Sequence, residues 1–174
     1  WYLEESKDHP VHPHGGDSSP EYFLKQWGNF ISSNILRDHL FILEGSLFQS
    51  TVRFMMEGNN EEAISKYFMQ CQSLLTKTSS KLIYLRPLEL LPHIDWVINH
   101  RGGEWTRKVT KYLESTSFCS SREWSGSRCM RDFWSYYANL CDSLVSETTL
   151  ASHTINSGEG YFENQFQEAL AYTN

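Results

Sequence analysis

The chain is poor in the residues that punctuate turns. Its 174 residues hold ten Gly and five Pro, too few for a turn-rich β sandwich. No stretch approaches the ~18 uncharged apolar residues of a membrane span. The opening "WYLEESKDHP" turns polar within four residues and has no signal-peptide pattern. The first residue is Trp rather than Met, so the start of the chain does not report a compartment. None of the nine asparagines lies in an N-x-[ST] sequon. The four cysteines form no C-x-x-C, which argues against a zinc site built on cysteine pairs. There is no phosphate-binding glycine loop, G-x-S-x-G, H-E-x-x-H or dinucleotide fingerprint. These absences remove many common enzyme classes and favour a binding or regulatory protein.

What is present is a substantial core. Hydrophobic residues make up 40% and aromatics 14%, enough for a packed domain and against disorder. The net charge of −6 is unevenly spread. Arg101, Arg107, Lys108, Lys111, Arg122, Arg128 and Arg131 face only Glu104, Glu114 and Glu123 within the 101–131 window. An acidic chain with one basic window can offer that window to a polyanion such as a nucleic-acid backbone, or simply solvate it as a helix face. Cys71 and Cys141 fall inside apolar helical patterns, where a free thiol packs as a small hydrophobe. Cys119 and Cys129 lie in a Ser-rich stretch and would join in an oxidising compartment. The balance points to reduced thiols and a cytoplasmic protein.

The fold class read from periodicity is all-α, a single-domain bundle of five or six helices. Residues 5–18, "ESKDHPVHPHGGDS", lack a hydrophobic period, so 1–18 reads as a flexible N-terminal segment and 19–174 as the helical domain. His9, His12 and His14 in that segment could bind a metal ion but serve equally as polar filler, and no metal or other cofactor is expected. Ser19 as a cap, Pro20 and Glu21 begin a helix. Phe23, Trp27, Phe30, Leu36, Leu40, Leu43, Leu47 and Phe54 continue one stripe, predicting a long element up to Gly58 that is broken at most near Gly28 or Asn34. Glu44, inside "LFILEGSLF", is expected near the core edge with a polar partner. Further helices are predicted over 60–76, from Pro92 to about His100, over 104–115, 129–147 and 160–172, with a loop at 116–128. The only strand-like stretch is "KLIYL" at 81–85.

In "HIDWVINHRGG" at 93–103, Pro92 suits a helix start and Gly102 a helix stop. Asp95 and His100 are five positions apart and do not share a face. A His beside an Arg, followed by a basic helix, is the equipment of a metal-independent ribonuclease: the imidazole moves protons and the guanidinium steadies phosphate charge. The plainer reading is a helix C-terminus whose last carbonyls meet His100 and Arg101.

The passage "DWVINHRGG" resembles the R-N-x-x-x-H-x-G region of HEPN domains, small all-α bundles of toxins and defence systems. The upstream "LRDHLFILEGSLFQSTVRFM" is similar in kind to their long helix with an embedded glutamate. The resemblance implies RNA as partner or substrate, His100 as acid/base, Arg101 as phosphate contact, and Arg107, Lys108 and Lys111 as further nucleic-acid contacts. It also implies dimers, which place two motifs around one cleft. The motif arginine is missing: Asp95 stands in its place, and the alternative pair Arg86 and His93 encloses Pro87 and Pro92. Either Arg101 or Arg107 supplies the guanidinium and the chain cleaves RNA, or the site is inactive and the fold serves binding. Two other classes stay open, a non-enzymatic helical protein-interaction module and a secreted bundle with two disulfides.

Overall fold

The computed structural model describes residues 2–4, 6–34, 39–158 and 162–173, with the side chain of Ser127 excepted. The chain divides into two compact units, Trp1–Ser79 and Ser80–Asn174.

In the first unit, helix α1 (Pro20–Asn34) starts where its signals stand. The Ser19 hydroxyl accepts the Tyr22 N–H at 3.3 Å, and the Asp17 carboxylate accepts the Ser19 N–H at 2.9 Å. Phe23 and Trp27 are buried, and the Trp27 indole donates to the Tyr67 hydroxyl at 3.1 Å. That bond satisfies two polar groups that burial would otherwise strand. The long element stops at Asn34, one of its two expected break points, but among the described residues it does not resume as a helix directly after the break. Residues 39–47 run as extended and turning chain, and Leu40 and Ile42, at 84% and 51% exposed, face out. Tyr2 pairs with Leu43 in an isolated parallel bridge, and Gly45 turns the chain at φ +69°. A side chain at Gly45 would meet Glu4 at 3.0 Å. Helical backbone resumes as a π turn (Phe48–Val52) leading into the short α2 (Arg53–Met55). Leu36 lies outside the described residues. Glu44 is exposed rather than at the core edge, and it is its carbonyl that is used, accepting from His9 Nε2 at 3.1 Å. Helix α3 (Glu61–Leu75) is capped by Asn60, which accepts the Ala63 N–H, and buries Ile64, Tyr67, Phe68, Cys71 and Leu75 against α1.

The segment before α1 is folded onto this unit. His9 is 1% exposed and Val11 fully buried. The Val11 N–H donates to His9 Nδ1, so the Nε2 atom carries the proton. Gln26 of α1 exchanges hydrogen bonds with the His12 backbone in both directions.

The second unit corrects the all-α expectation. The molecule is mostly helical, but two strands, β1 (Lys81–Pro87) and β2 (Ala151–Ser157), pair in parallel with Lys81 opposite Ala151 and Pro87 opposite Ser157. A parallel pair requires a long crossover. Here it consists of α4 (Leu90–Glu114), the short α5 (Ser117–Ser120) and α6 (Gly126–Ser146). Helix α7 (Phe162–Thr173) lies against β2. The apolar face of α6 is the predicted one, with Met130, Phe133, Leu140, Cys141 and Leu144 buried. Pro92 sits in the first turn of α4, where its missing N–H has no intrahelical acceptor to lose.

Candidate functional site

Helix α4 is two helices joined at Gly102, whose φ of 79° and ψ of 170° belong to a region open essentially to glycine alone. The Thr106 hydroxyl donates to the Gly102 carbonyl at 2.9 Å, tying the start of the second segment back over the break. The predicted helix stop is therefore real, although the chain re-enters a helix at once.

Before the break, His93, Trp96 and His100 follow at positions i, i+3 and i+7 and share a face. Their rings form a ladder. His93 lies 6.0 Å from Trp96 at an interplanar angle of 23°, and Trp96 lies 4.9 Å from His100 at 12°. All three are exposed, Trp96 by 45%. Asp95, on a different face from His100, is bound at 3.0 Å by Arg131 of α6. A guanidinium does stand beside Asp95, but on that other face. Across the break, the Arg101 guanidinium lies 5.7 Å from the Trp105 ring centre, within cation–π range. A shallow open groove of about 360 Å³ lies at the break, lined by Ile98, Asn99, Gly102, Gly103, Thr106 and Arg107.

The basic window is thinner than its composition suggests. Lys108 pairs with Glu104 at 3.0 Å, Arg128 with Asp132 at 2.8 Å and Arg131 with Asp95. Arg122 is held over the Phe118 ring at 3.8 Å, near Tyr136 and Trp124. Among the described residues, Arg101, Arg107 and Lys111 have no carboxylate partner, and Arg107 and Lys111 stand one turn apart on an exposed face. Of the residues expected from sequence, then, the structure sets His100 against Trp96, sets Arg101 over Trp105, neutralises Lys108 locally, and leaves Arg107 and Lys111 open. Arg86, the alternative motif arginine, sits on β1 and donates through Nε to both oxygens of Asp142 at 2.8 and 2.9 Å. The Tyr84 hydroxyl reaches the same carboxylate at 2.9 Å. This hydrogen bonding raises the Arg86 pKa further, while burial pushes the Tyr84 hydroxyl up.

Sequence reasoning missed the stacking role of His93, Trp96 and Trp105, although the 93/96/100 spacing was readable. It also missed the Tyr84–Arg86–Asp142 cluster, which depends on β1 being a strand. The N-terminal histidines are not gathered for a metal. Both ring nitrogens of His9 are engaged, and His14 Nε2 is bonded to the His9 carbonyl. Among the described residues no group of three or more His, Cys, Asp or Glu side chains could hold a metal ion. Burial lowers the pKa of His9 and of His12.

All four cysteines are free and buried. Cys71 is hydrogen-bonded to Tyr67 and Cys141 to Tyr137, each one helical turn away. No described helix is long and apolar enough to cross a membrane. Comparison with known proteins returns no match: no family model, no curated protein and no solved structure matches the chain.

Proposed function

We propose that this chain binds single-stranded RNA in the cytoplasm along the outer face of α4, as a HEPN-like protein of a toxin or defence system in which binding has replaced cleavage. The observation that carries the reading is the exposed His93–Trp96–His100 ring ladder; the Arg101–Trp105 contact, and Arg107 and Lys111 without a carboxylate partner, follow it along the same element. Stacked aromatic rings next to free cations are what a flexible nucleic-acid strand needs: each base offers a π face and each phosphate a charge. Binding is favoured over cleavage because the His100 ring is laid flat on Trp96, and Arg101 is drawn to Trp105 rather than across a cleft from the imidazole. The choice of RNA over DNA rests on the likeness of "DWVINHRGG" to the HEPN motif.

The test is fluorescence anisotropy with a labelled single-stranded RNA over a range of salt. Trp96→Ala should weaken binding about 5- to 150-fold, the equivalent of one stacked base at ~1–3 kcal/mol. With three free cations engaged, the slope of log K against log salt should be about −2. Affinity that ignores both Trp96→Ala and the double change of Arg107 and Lys111 to Ala would sink the proposal. RNA cleavage abolished by His100→Ala would restore the nuclease reading.

A second reading, a protein-interaction module, is favoured by α7. Phe162, Phe166 and Leu170 form a stripe exposed by 78%, 50% and 42%. If α7 joins two copies, Phe166→Glu should shift a dimer to monomer in sedimentation.

A further inference from the structure

Cys119 and Cys129 differ from the other two thiols in what they touch. Cys71 and Cys141 are each satisfied by a tyrosine, whereas the Cys129 thiol shares a hydrogen bond with Cys119. Both are 0% exposed. The backbone brings them together. The Cys119 carbonyl accepts the N–H groups of Arg122 and Trp124, both at 3.1 Å, which curls the chain after α5. Glu123 at φ +55° and Gly126 at φ +60° then turn it into α6, and the Glu114 carboxylate accepts the Gly126 N–H at 2.6 Å. Cys129 follows in the first turn of α6, facing back onto α5.

We propose that Cys119 and Cys129 form an oxidation site that closes to an intramolecular disulfide by exchange with a low-molecular-weight disulfide of the glutathione class. One cysteine gives up its proton and attacks a sulfur of glutathione disulfide. A mixed disulfide forms and one glutathione thiolate leaves, taking up the proton. The second cysteine, deprotonated in turn, attacks the protein sulfur of the mixed disulfide and expels the second glutathione. Two protein thiols are oxidised, one glutathione disulfide is reduced to two thiols, and no other oxidant is required. Both sulfurs are shut off from solvent, and burial with the neighbouring thiol pushes the Cys129 thiol up, so the closed site does not meet glutathione disulfide. Exchange therefore passes through lifting of α5, at four residues the shortest described helix of this unit. The closed bond pins α5 and the turn carrying Arg122 to the first turn of α6.

The test incubates the whole chain with glutathione disulfide and glutathione at graded ratios, quenches with N-ethylmaleimide in denaturant so that the buried thiols react, and maps tryptic peptides without reduction. Trypsin cuts after Arg122 and Arg128, between the two cysteines, so the disulfide is read as two joined peptides. The expected result is loss of two of the four alkylatable thiols, with Cys119 joined to Cys129. Cys129→Ser should leave glutathione on Cys119 with no joined peptide, and Cys141→Ser should change nothing. The unfolding midpoint of the oxidised chain should rise by roughly 5 °C or more, and not in Cys129→Ser. Four thiols persisting at every ratio, separate glutathione adducts on Cys119 and Cys129, a joined peptide containing Cys71 or Cys141, or an unmoved midpoint would each overturn the proposal.

Discussion

His9 shows how much a single side chain in an apparently featureless stretch can hold. Its imidazole is buried with both nitrogens engaged, Nδ1 accepting from Val11 and Nε2 donating to the Glu44 carbonyl. A second proton would have to sit on Nδ1, where that acceptor role would be lost. Desolvation by burial, the largest cause, holds its pKa below the ordinary 6.5. Over the interval between the lowered folded value and the unfolded 6.5, the unfolded chain binds more protons, so stability rises with pH there. The contribution is fully present above about pH 6.5 and is lost as the pH falls through that interval. Urea unfolding of the intact chain from pH 7.5 to 5 should show this loss, and His9→Gln should flatten it; an unchanged slope would remove His9 as the cause. Asp142 does comparable work in the other unit, accepting from Tyr84 and Arg86 together. It is 39% exposed, so solvent screens the pair. Asp142→Asn, which keeps the shape and removes the charge, should cost about 1–2 kcal/mol in urea unfolding. A cost near zero would mean that water serves Arg86 equally well.

Among the elements, the break in α4 decides the geometry of the site, and it separates two adjacent glycines. Gly102 occupies backbone territory that L residues avoid, so Gly102→Ala should cost about 1–3 kcal/mol although a Cβ there meets nothing within 4 Å. Gly103 has ordinary backbone and equally open space, so Gly103→Ala should be neutral or stabilise by up to about 1 kcal/mol. Thermal unfolding of the two variants checks this, and equal losses would show that the break is not set by Gly102. If the break also positions Arg101 over Trp105, Gly102→Ala should weaken RNA binding as well. The stop at Gly102 was legible in the sequence, as was the cap Ser19, because such signals act within a few residues. Of the strands, β1 was legible as the strand-like "KLIYL" at 81–85, but β2 and the pairing were not. β1 is a seven-residue strand whose partner lies some seventy residues on, and β2, "ASHTINS", is polar at most of its exposed positions. Periodicity cannot reveal a pairing whose hydrogen bonds are all non-local. The same limit broke the predicted long helix. Leu40 and Leu43 keep helical spacing, but Leu43 is taken by a bridge to Tyr2, and Gly45 turns the chain before a helix can run on. At the site, the basic residues were legible one by one; that carboxylates at 95, 104 and 132 neutralise three of them was not.

For the molecule as a whole, the division into two units makes a prediction about where the chain opens. The boundary falls in "TKTSSK" at 76–81, after the last turn of α3 and before β1. Lys77 there is exposed and lies in a turn, whereas most other lysines and arginines belong to helices or strands. A protease needs extended chain, and helices and strands supply that only by local unfolding, so cleavage concentrates where few hydrogen bonds must open. Limited trypsin should therefore cut first at Lys77 and leave two resistant fragments, 1–77 and 78–174, visible by mass. Early cuts at Arg101 or Arg107 would show instead that α4 opens more easily than the boundary, and an early cut at Arg122 that the turn between α5 and α6 does. The second fragment retains both strands, α4 to α7, and a core of its own in Ile94, Leu113, Phe118, Met130, Phe133, Leu144 and Ile155. It also retains every group of the ring ladder with Arg101, Arg107 and Lys111. If RNA binding belongs to the outer face of α4, the purified 78–174 fragment should keep its helical circular dichroism and bind RNA within a few-fold of the whole chain. A folded fragment that has lost binding would move the site, or part of it, into residues 1–77.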